Sequence, residues 1–185
     1  MSQDVFTKSI WSYNPLTEGY TADAVFHAIS GTPTISSSKL RLNQTSIVTY
    51  DRTTLFGDLE ITATIPAAPT SGDSRQFGFR NNTGLHGVMV FDITDAVASA
   101  KVYDSAGTLI ASKEITWNSN WTNAEARYRI SWHKNRTIYF TIEDTVVAMF
   151  NADDLFDSVL GSEPMHIYVS NANNDNVDIS FVSIS

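Results

Sequence analysis

The sequence predicts an all-β protein, an antiparallel sandwich or barrel, and three observations carry that prediction. Apolar and polar residues alternate with a period of two in segment after segment. Turn-forming Gly, Asn, Asp and Ser punctuate those segments at regular spacing. Only "NADDLFDSVLG" (151–161) reads as helical, with Asn151 or Asp153 as N-cap and Gly161 as stop. Ten or more short strands are therefore expected.

The elements follow in order. In "GDLEITATIP" Leu59, Ile61, Ala63 and Ile65 alternate with Glu60, Thr62 and Thr64, as in a half-buried strand. "RQFGF" comes next, then "GVMVFDIT", whose apolar run predicts burial on both faces. "KVYDSAGTLIASKEITW" predicts a hairpin turning at Asp104–Gly107, with Gly107 suited to a positive φ. In "RYRISWHKNRTIYFTIEDTVVAMF" Tyr128, Ile130 and Trp132 share one face. After a turn at "HKNR", Ile138, Phe140 and Ile142 face the core, with Tyr139, Thr141 and Glu143 outside. Glu143-Asp144-Thr145 then turns the chain into "VVAMF". "MHIYVS" and "VDISFVSI" are expected to pair across the polar loop "NANNDN". Trp11 is a candidate plug for one sheet end. No linker or repeat interrupts the 185 residues, so residues 1–185 are expected to form one domain.

Composition narrows the function classes. Hydrophobic residues at 42% and charged residues at 17% describe a globular chain. No apolar run approaches the ~20 residues of a membrane-spanning helix, and "MSQDVFTKSIWSY" does not read as a secretory signal. Cysteine is absent, which removes disulfide and thiolate chemistry. The net charge of −8 is concentrated late: from Thr137 onward there are eight acidic residues and no Lys or Arg. Nucleic acid and membrane insertion are accordingly not expected among the partners. Asn-x-Ser/Thr sequons at Asn43, Asn81, Asn120 and Asn135 are read as chance in a chain rich in Asn and Thr.

Three segments in order resemble one superfamily. "LFGDLEITATIPAAPTSGDSRQFGF" resembles the strand and loop of laminarinase-type glucanases. "YRISWHKNRTIYFTIEDTVVAMF" is similar to their Tyr-x-Ile-x-Trp strand, hairpin, acidic turn and Val-Ala strand. "VDISFVSI" is similar to their closing strand. Residues 40–185 thus resemble the concanavalin A-like lectin/glucanase superfamily, which includes laminin G-like modules. The resemblance implies a jelly-roll sandwich of two curved antiparallel sheets, with carbohydrate bound on the concave face or the rim loops.

The glucanase branch of that superfamily carries Glu-x-Asp-x-Glu on one strand, where a period of two puts all three carboxylates on one face. Here the six Glu (18, 60, 114, 125, 143, 163) are dispersed, and the corresponding strand reads "VMVFDITDA", with Asp92 and Asp95 on opposite faces. The chain is therefore expected not to be an enzyme. A divergent glycoside hydrolase with carboxylates from different strands is the alternative. His27, His86, His133 and His166 lack a nucleophile elbow and zinc-ligand spacing, and no phosphate loop is present.

The expected role is that of a lectin-like carbohydrate-binding module, in an adhesin or a phage tail. The alternative is a structural module of a virion or fibre, a possible homo-oligomer working through protein contacts. Both roles imply an extracellular or virion-associated location. "TWNSNWTN" sets Trp117 and Trp121 among amides, so Trp121 is the candidate exposed stacking ring, with Asn120 and Trp117 beside it. The competing assignment has both indoles covering the end of the sandwich. "RNNTGLHG" adds Asn82 and His86 as candidate sugar contacts. The resemblance also implies a structural Ca²⁺ on the closing strand, with Asp178 as its ligand and the N-terminal backbone supplying further oxygens.

Overall fold

In the computed structural model the structure describes residues 11–15, 26–49, 57–81, 87–94, 96–104, 106–132, 137–151 and 165–185. Fifteen strands occur among them: β1 (Trp11–Tyr13), β2 (Phe26–Ser30), β3 (Thr34–Ser36), β4 (Lys39–Leu42) and β5 (Thr45–Thr49) open the chain. They are followed by β6 (Gly57–Thr64), β7 (Ser74–Asn81), β8 (Gly87–Thr94), β9 (Val97–Tyr103) and β10 (Leu109–Ile115). The last five are β11 (Glu125–Trp132), β12 (Thr137–Ile142), β13 (Thr145–Asn151), β14 (Met165–Asn171) and β15 (Val177–Ile184). A 3₁₀ turn, Ser119–Trp121, lies between β10 and β11. The candidate helix at 151–161 lies outside the described residues, except that Asn151 ends β13.

Two antiparallel sheets result. The eight-stranded sheet runs β13-β12-β11-β6-β15-β4-β3, with β1 added alongside β15; the seven-stranded sheet runs β10-β9-β8-β7-β14-β5-β2. This is the jelly-roll sandwich expected of the concanavalin A-like superfamily. One pairing differs from expectation. β14 belongs to the seven-stranded sheet and β15 to the eight-stranded one, so "NANNDN" crosses between sheets instead of closing a hairpin. Asn171 fixes that crossing: its amide donates to the carbonyls of Leu42 and Asp175, at 2.9 and 2.8 Å.

Alternation decides what enters the core. Leu59, Ile61 and Ala63 of β6, Tyr128, Ile130 and Trp132 of β11, and Ile138, Phe140 and Ile142 of β12 face inward and are buried. Phe77, Phe79, Met89, Phe91 and Ile93 oppose them from the other sheet. Aromatic rings join the layers edge to face: Phe91 meets Tyr128 at 5.6 Å and Phe140 at 5.1 Å between centroids. In β15 the inward set changes phase, from Val177 and Ile179 to Val182 and Ile184. A bulge between Ile179 and Phe181 absorbs the extra residue. Both hairpin turns contain a residue at positive φ: Gly107 at +84°, as its residue type favours, and Glu143 at +54°, where its side chain accepts from the Arg127 backbone N–H.

Candidate functional site

The outward faces of the two sheets differ in chemistry. On the eight-stranded sheet, cross-strand ion pairs staple the surface: Arg129 to Glu60 at 2.6 Å, Arg41 to Asp178 at 2.7 Å and Lys39 to Glu125 at 2.8 Å. The outward face of the seven-stranded sheet is instead crossed by a line of short polar side chains. Register places Glu114 opposite Ser99, Ser99 opposite Asp92 and Asp92 opposite Gln76. The line continues from Gln76 to Ser170, Ser46 and Ser30. Directly opposed residues share a face, and each step is one strand spacing of ~4.8 Å. The row therefore spans all seven strands.

Its centre is recessed, since Asp92, Ser99 and Ser170 are all under a tenth exposed although they point away from the core. Asp92 is held on both oxygens: the Thr94 hydroxyl donates to Oδ1 at 2.5 Å and the Lys101 ammonium to Oδ2 at 2.6 Å. Ser46 and Ser170 exchange a hydrogen bond at 2.8 Å. Beside the row, Tyr168 stands directly across from Gly78, and the Arg80 guanidinium lies 5.8 Å from its ring centroid. Tyr103 lies on the same face; burial pushes its phenol pKa up, Lys101 pulls it down in part and Asp92 adds to the rise. Gly78 is required here because a Cβ would lie 2.0 Å from the Met89 carbonyl oxygen. The face thus offers aromatic rings, an amide, hydroxyls and two carboxylates, with the donors and acceptors suited to a polyhydroxylated ligand.

The residues singled out from sequence fall elsewhere. Trp121 is 7% exposed and packs into the core, so it is not an exposed stacking ring. The 3₁₀ turn rolls its side chain inward, against Trp117 at 5.5 Å and 89°. Trp117 is half-buried and its Nε1–H donates to the Thr122 hydroxyl at 3.0 Å. The competing assignment, two indoles closing the sandwich end, describes Trp121; Trp117 keeps one side toward a groove of about 620 Å³. Asn120 is exposed, with its backbone N–H bonded to the Asn118 side chain. Asn82 and His86 lie outside the described residues, as does the side chain of Trp11.

Asp178, the expected Ca²⁺ ligand, is ion-paired, and the N-terminal backbone expected to supply further oxygens lies outside the described residues apart from 11–15. Arg41 occupies both its carboxylate oxygens, at 2.7 and 2.8 Å, and no cluster of three or more His, Cys, Asp or Glu able to hold a metal occurs among the described residues. Gln76, Ser99, Lys101, Tyr168 and Ser170 were not identifiable as a group from sequence. Their only local signal is position out of phase with the core residues on separate strands.

No protein-family profile matches the chain, and no curated protein does. Solved structures match its fold. A glycoside hydrolase family 16 endo-glucanase from Bacteroides ovatus, in complex with G4G3G-2F-DNP, is 10% identical with a TM-score of 0.71, covering 95% of this chain and 99% of that one. A Crh5 transglycosylase in complex with NAG is 14% identical with a TM-score of 0.71, over 96% and 84%. The β-glucanase of Bacillus licheniformis is 11% identical with a TM-score of 0.68, over 97% and 99%. These structures overturn the expectation that the chain is not an enzyme. That expectation rested on one missing strand motif, whereas the fold shared over nearly the whole chain is one that glucanases and a transglycosylase use.

Proposed function

We propose that this protein is a carbohydrate-active jelly roll that binds a linear polysaccharide across the outward face of its seven-stranded sheet. The observation that carries the reading is the row Glu114–Ser99–Asp92–Gln76–Ser170–Ser46–Ser30, which gives one polar side chain per strand across the full width of the sheet. On the opposite face the row Glu125–Thr64–Asp178–Arg41–Thr34 crosses five strands, and its charged members are tied up in the Lys39–Glu125 and Arg41–Asp178 ion pairs. The glucanases that share this fold make β-glucans the first ligands to try.

A second reading, hydrolysis, is favoured by one specific arrangement. Asp92 and Glu114 lie on the same face with one strand between them, a backbone separation of about 9.5 Å from two strand spacings. Inverting glycosidases hold their carboxyl groups roughly 6.5–9.5 Å apart, with a water between. Asp92 is anchored by Thr94 and Lys101, while Glu114 stands exposed on the edge strand.

Titration calorimetry with laminarin and mixed-linkage β-glucan, paired with a reducing-end assay on the same samples, tests both readings. Binding weakened at least about fivefold by Gln76→Ala is expected, from the loss of one or two hydrogen bonds. Binding indifferent to Gln76→Ala would remove the row from the site. Reducing ends released by the wild type and not by Glu114→Gln would establish hydrolysis through Glu114; binding without release would leave only the first reading.

A further inference from the structure

The polar row ends at Glu114 on β10, and β10 is the free edge of the seven-stranded sheet. Past that edge a groove opens toward β13, the edge strand of the other sheet. It is lined by Lys113, Glu114, Trp117, Asn118, Val146 and Val147, among others. Trp117 is set rigidly in its wall, with Trp121 packed edge to face against it and Thr122 accepting its Nε1–H. Because that donor is already used, Trp117 presents to the groove an apolar ring and nothing else. Lys113 and Glu114 are exposed beside it, and no described residue bonds either side chain. A fixed ring flanked by a free cation, a free carboxylate and an amide matches a sugar, which has an apolar C–H face and a rim of hydroxyls.

We propose that this groove is a second glycan subsite: a polysaccharide lying along the row continues over the β10 edge and stacks a sugar ring on Trp117. The inference rests on the reading of the row as the primary site. Glu114 selects this occupant over a peptide strand or a second copy of the chain, because it belongs to both the row and the groove and makes them one continuous surface. The ligand class that follows is a chain long enough to cover the sheet and pass its edge.

The test compares a mixed-linkage β-glucan trisaccharide with the parent polysaccharide, by calorimetry, for the wild type, Trp117→Ala, Trp117→Phe and Lys113→Ala. Trp117→Ala is expected to weaken polysaccharide binding about five- to tenfold, the worth of one aromatic stacking contact, and to leave the trisaccharide affinity unchanged. Trp117→Phe retains a ring and should recover most of the loss. Lys113 is exposed, so Lys113→Ala reports on the groove even where Trp117→Ala lowers the yield of folded protein; it should show the same selectivity for the long ligand. Equal loss for both ligands, or none for either, overturns the subsite and leaves the row intact. A wild type that binds neither ligand overturns the row and the subsite together. Unchanged glycan affinity with an altered mass by light scattering would make the groove a contact between copies, again overturning the subsite.

Discussion

Lys101 Nζ lies 2.6 Å from Asp92 Oδ2 on the outward face of the seven-stranded sheet, with a quarter of the lysine side chain exposed and almost none of the aspartate. Removing the lysine strands a buried carboxylate with Thr94 as its remaining partner. Lys101→Met is therefore expected to cost about 2 kcal/mol, below the 3–5 typical of fully buried pairs because the ammonium is partly hydrated. Burial alone would lower the Lys101 pKa, but the hydrogen bond and charge of Asp92 outweigh it and leave it raised. A raised lysine pKa gives stabilisation that is complete below the ordinary lysine range and lost as pH climbs through the folded value. Urea midpoints of wild type and Lys101→Met should differ by a constant amount through neutral pH and converge in the alkaline range.

Gly78 occupies the centre of the recessed face, opposite Val90 on one side and Tyr168 on the other. A Cβ there would meet the Met89 carbonyl oxygen at 2.0 Å and the Val90 Cα at 2.8 Å, both backbone atoms that no rotamer change can move. Gly78→Ala is expected to destabilise by more than about 3 kcal/mol. Its soluble yield and melting temperature check this; a melting temperature within error of the wild type would show that β7 and β8 separate more easily than their pairing indicates.

Arg75 points into the sandwich at 1% exposure and answers two acids, Asp73 at 3.1 Å and Asp175 at shorter range. Because Arg75 is buried and Asp175 is a third exposed, the two ends of the pair should respond unequally. Arg75→Ala leaves Asp73 buried without its cation and is expected to cost about 3–5 kcal/mol. Asp175→Asn should cost nearer 1 kcal/mol, since Asp73 remains. Chemical denaturation of both variants measures the asymmetry, and equal losses would contradict it.

Two tyrosines should titrate late. Burial drives the Tyr128 phenol well above its ordinary value, and its hydroxyl has no hydrogen-bond partner among the described residues. Burial also raises Tyr103, with Lys101 opposing. The unfolded chain releases these protons near the ordinary tyrosine pKa of ~10 while the folded chain retains them, so stability falls as pH rises past that point. Ultraviolet difference absorbance should show tyrosinate formation lagging in the native protein and catching up on unfolding. Tyr103→Phe should remove part of the lag, and a native titration matching the unfolded one would contradict both assignments.

The bidentate Arg41–Asp178 pair sits at the surface, 32% and 20% exposed. Asp178→Asn is expected to cost less than about 1 kcal/mol. Melting temperatures of wild type and Asp178→Asn measured with Ca²⁺ and with a chelator test the Ca²⁺ expectation: a Ca²⁺-dependent rise lost in Asp178→Asn would make that residue a ligand, and coinciding values would leave it an ion-pair partner only.

Much of this fold was legible because a period of two is a local property. Tyr128, Ile130 and Trp132 announced an inward face within five residues, and the turns at Asp104–Gly107 and Glu143–Thr145 were announced by three or four consecutive residues. The partner of β15 was not legible. "MHIYVS" and "VDISFVSI" are each good strands, and a six-residue polar loop suits a hairpin as well as a crossing. Asn171, bonding the Leu42 carbonyl far away in sequence, is what sends the chain across. Trp121 misled for a related reason: a polar neighbourhood in sequence does not report direction, and one 3₁₀ turn is enough to bury an indole. The expectation against an enzyme had the same weakness, since it sought carboxylates along one strand and gave little weight to those brought together across strands.

The sequence by itself determined the strands, their inward faces, an antiparallel sandwich or barrel and the absence of cysteine chemistry, because each follows from residue type and short-range spacing; the jelly roll was implied by the superfamily resemblance. The tertiary structure alone decided which outward positions meet. Gln76, Asp92, Ser99, Glu114 and Ser170 belong to five strands, and nothing local in any of them records its neighbour. Register between strands is set by core packing and by bulges such as those at Phe79/Arg80 and Leu109/Ala111. A one-residue slip of any of these strands would turn its member of the row toward the core, so the candidate site exists only once the core has formed.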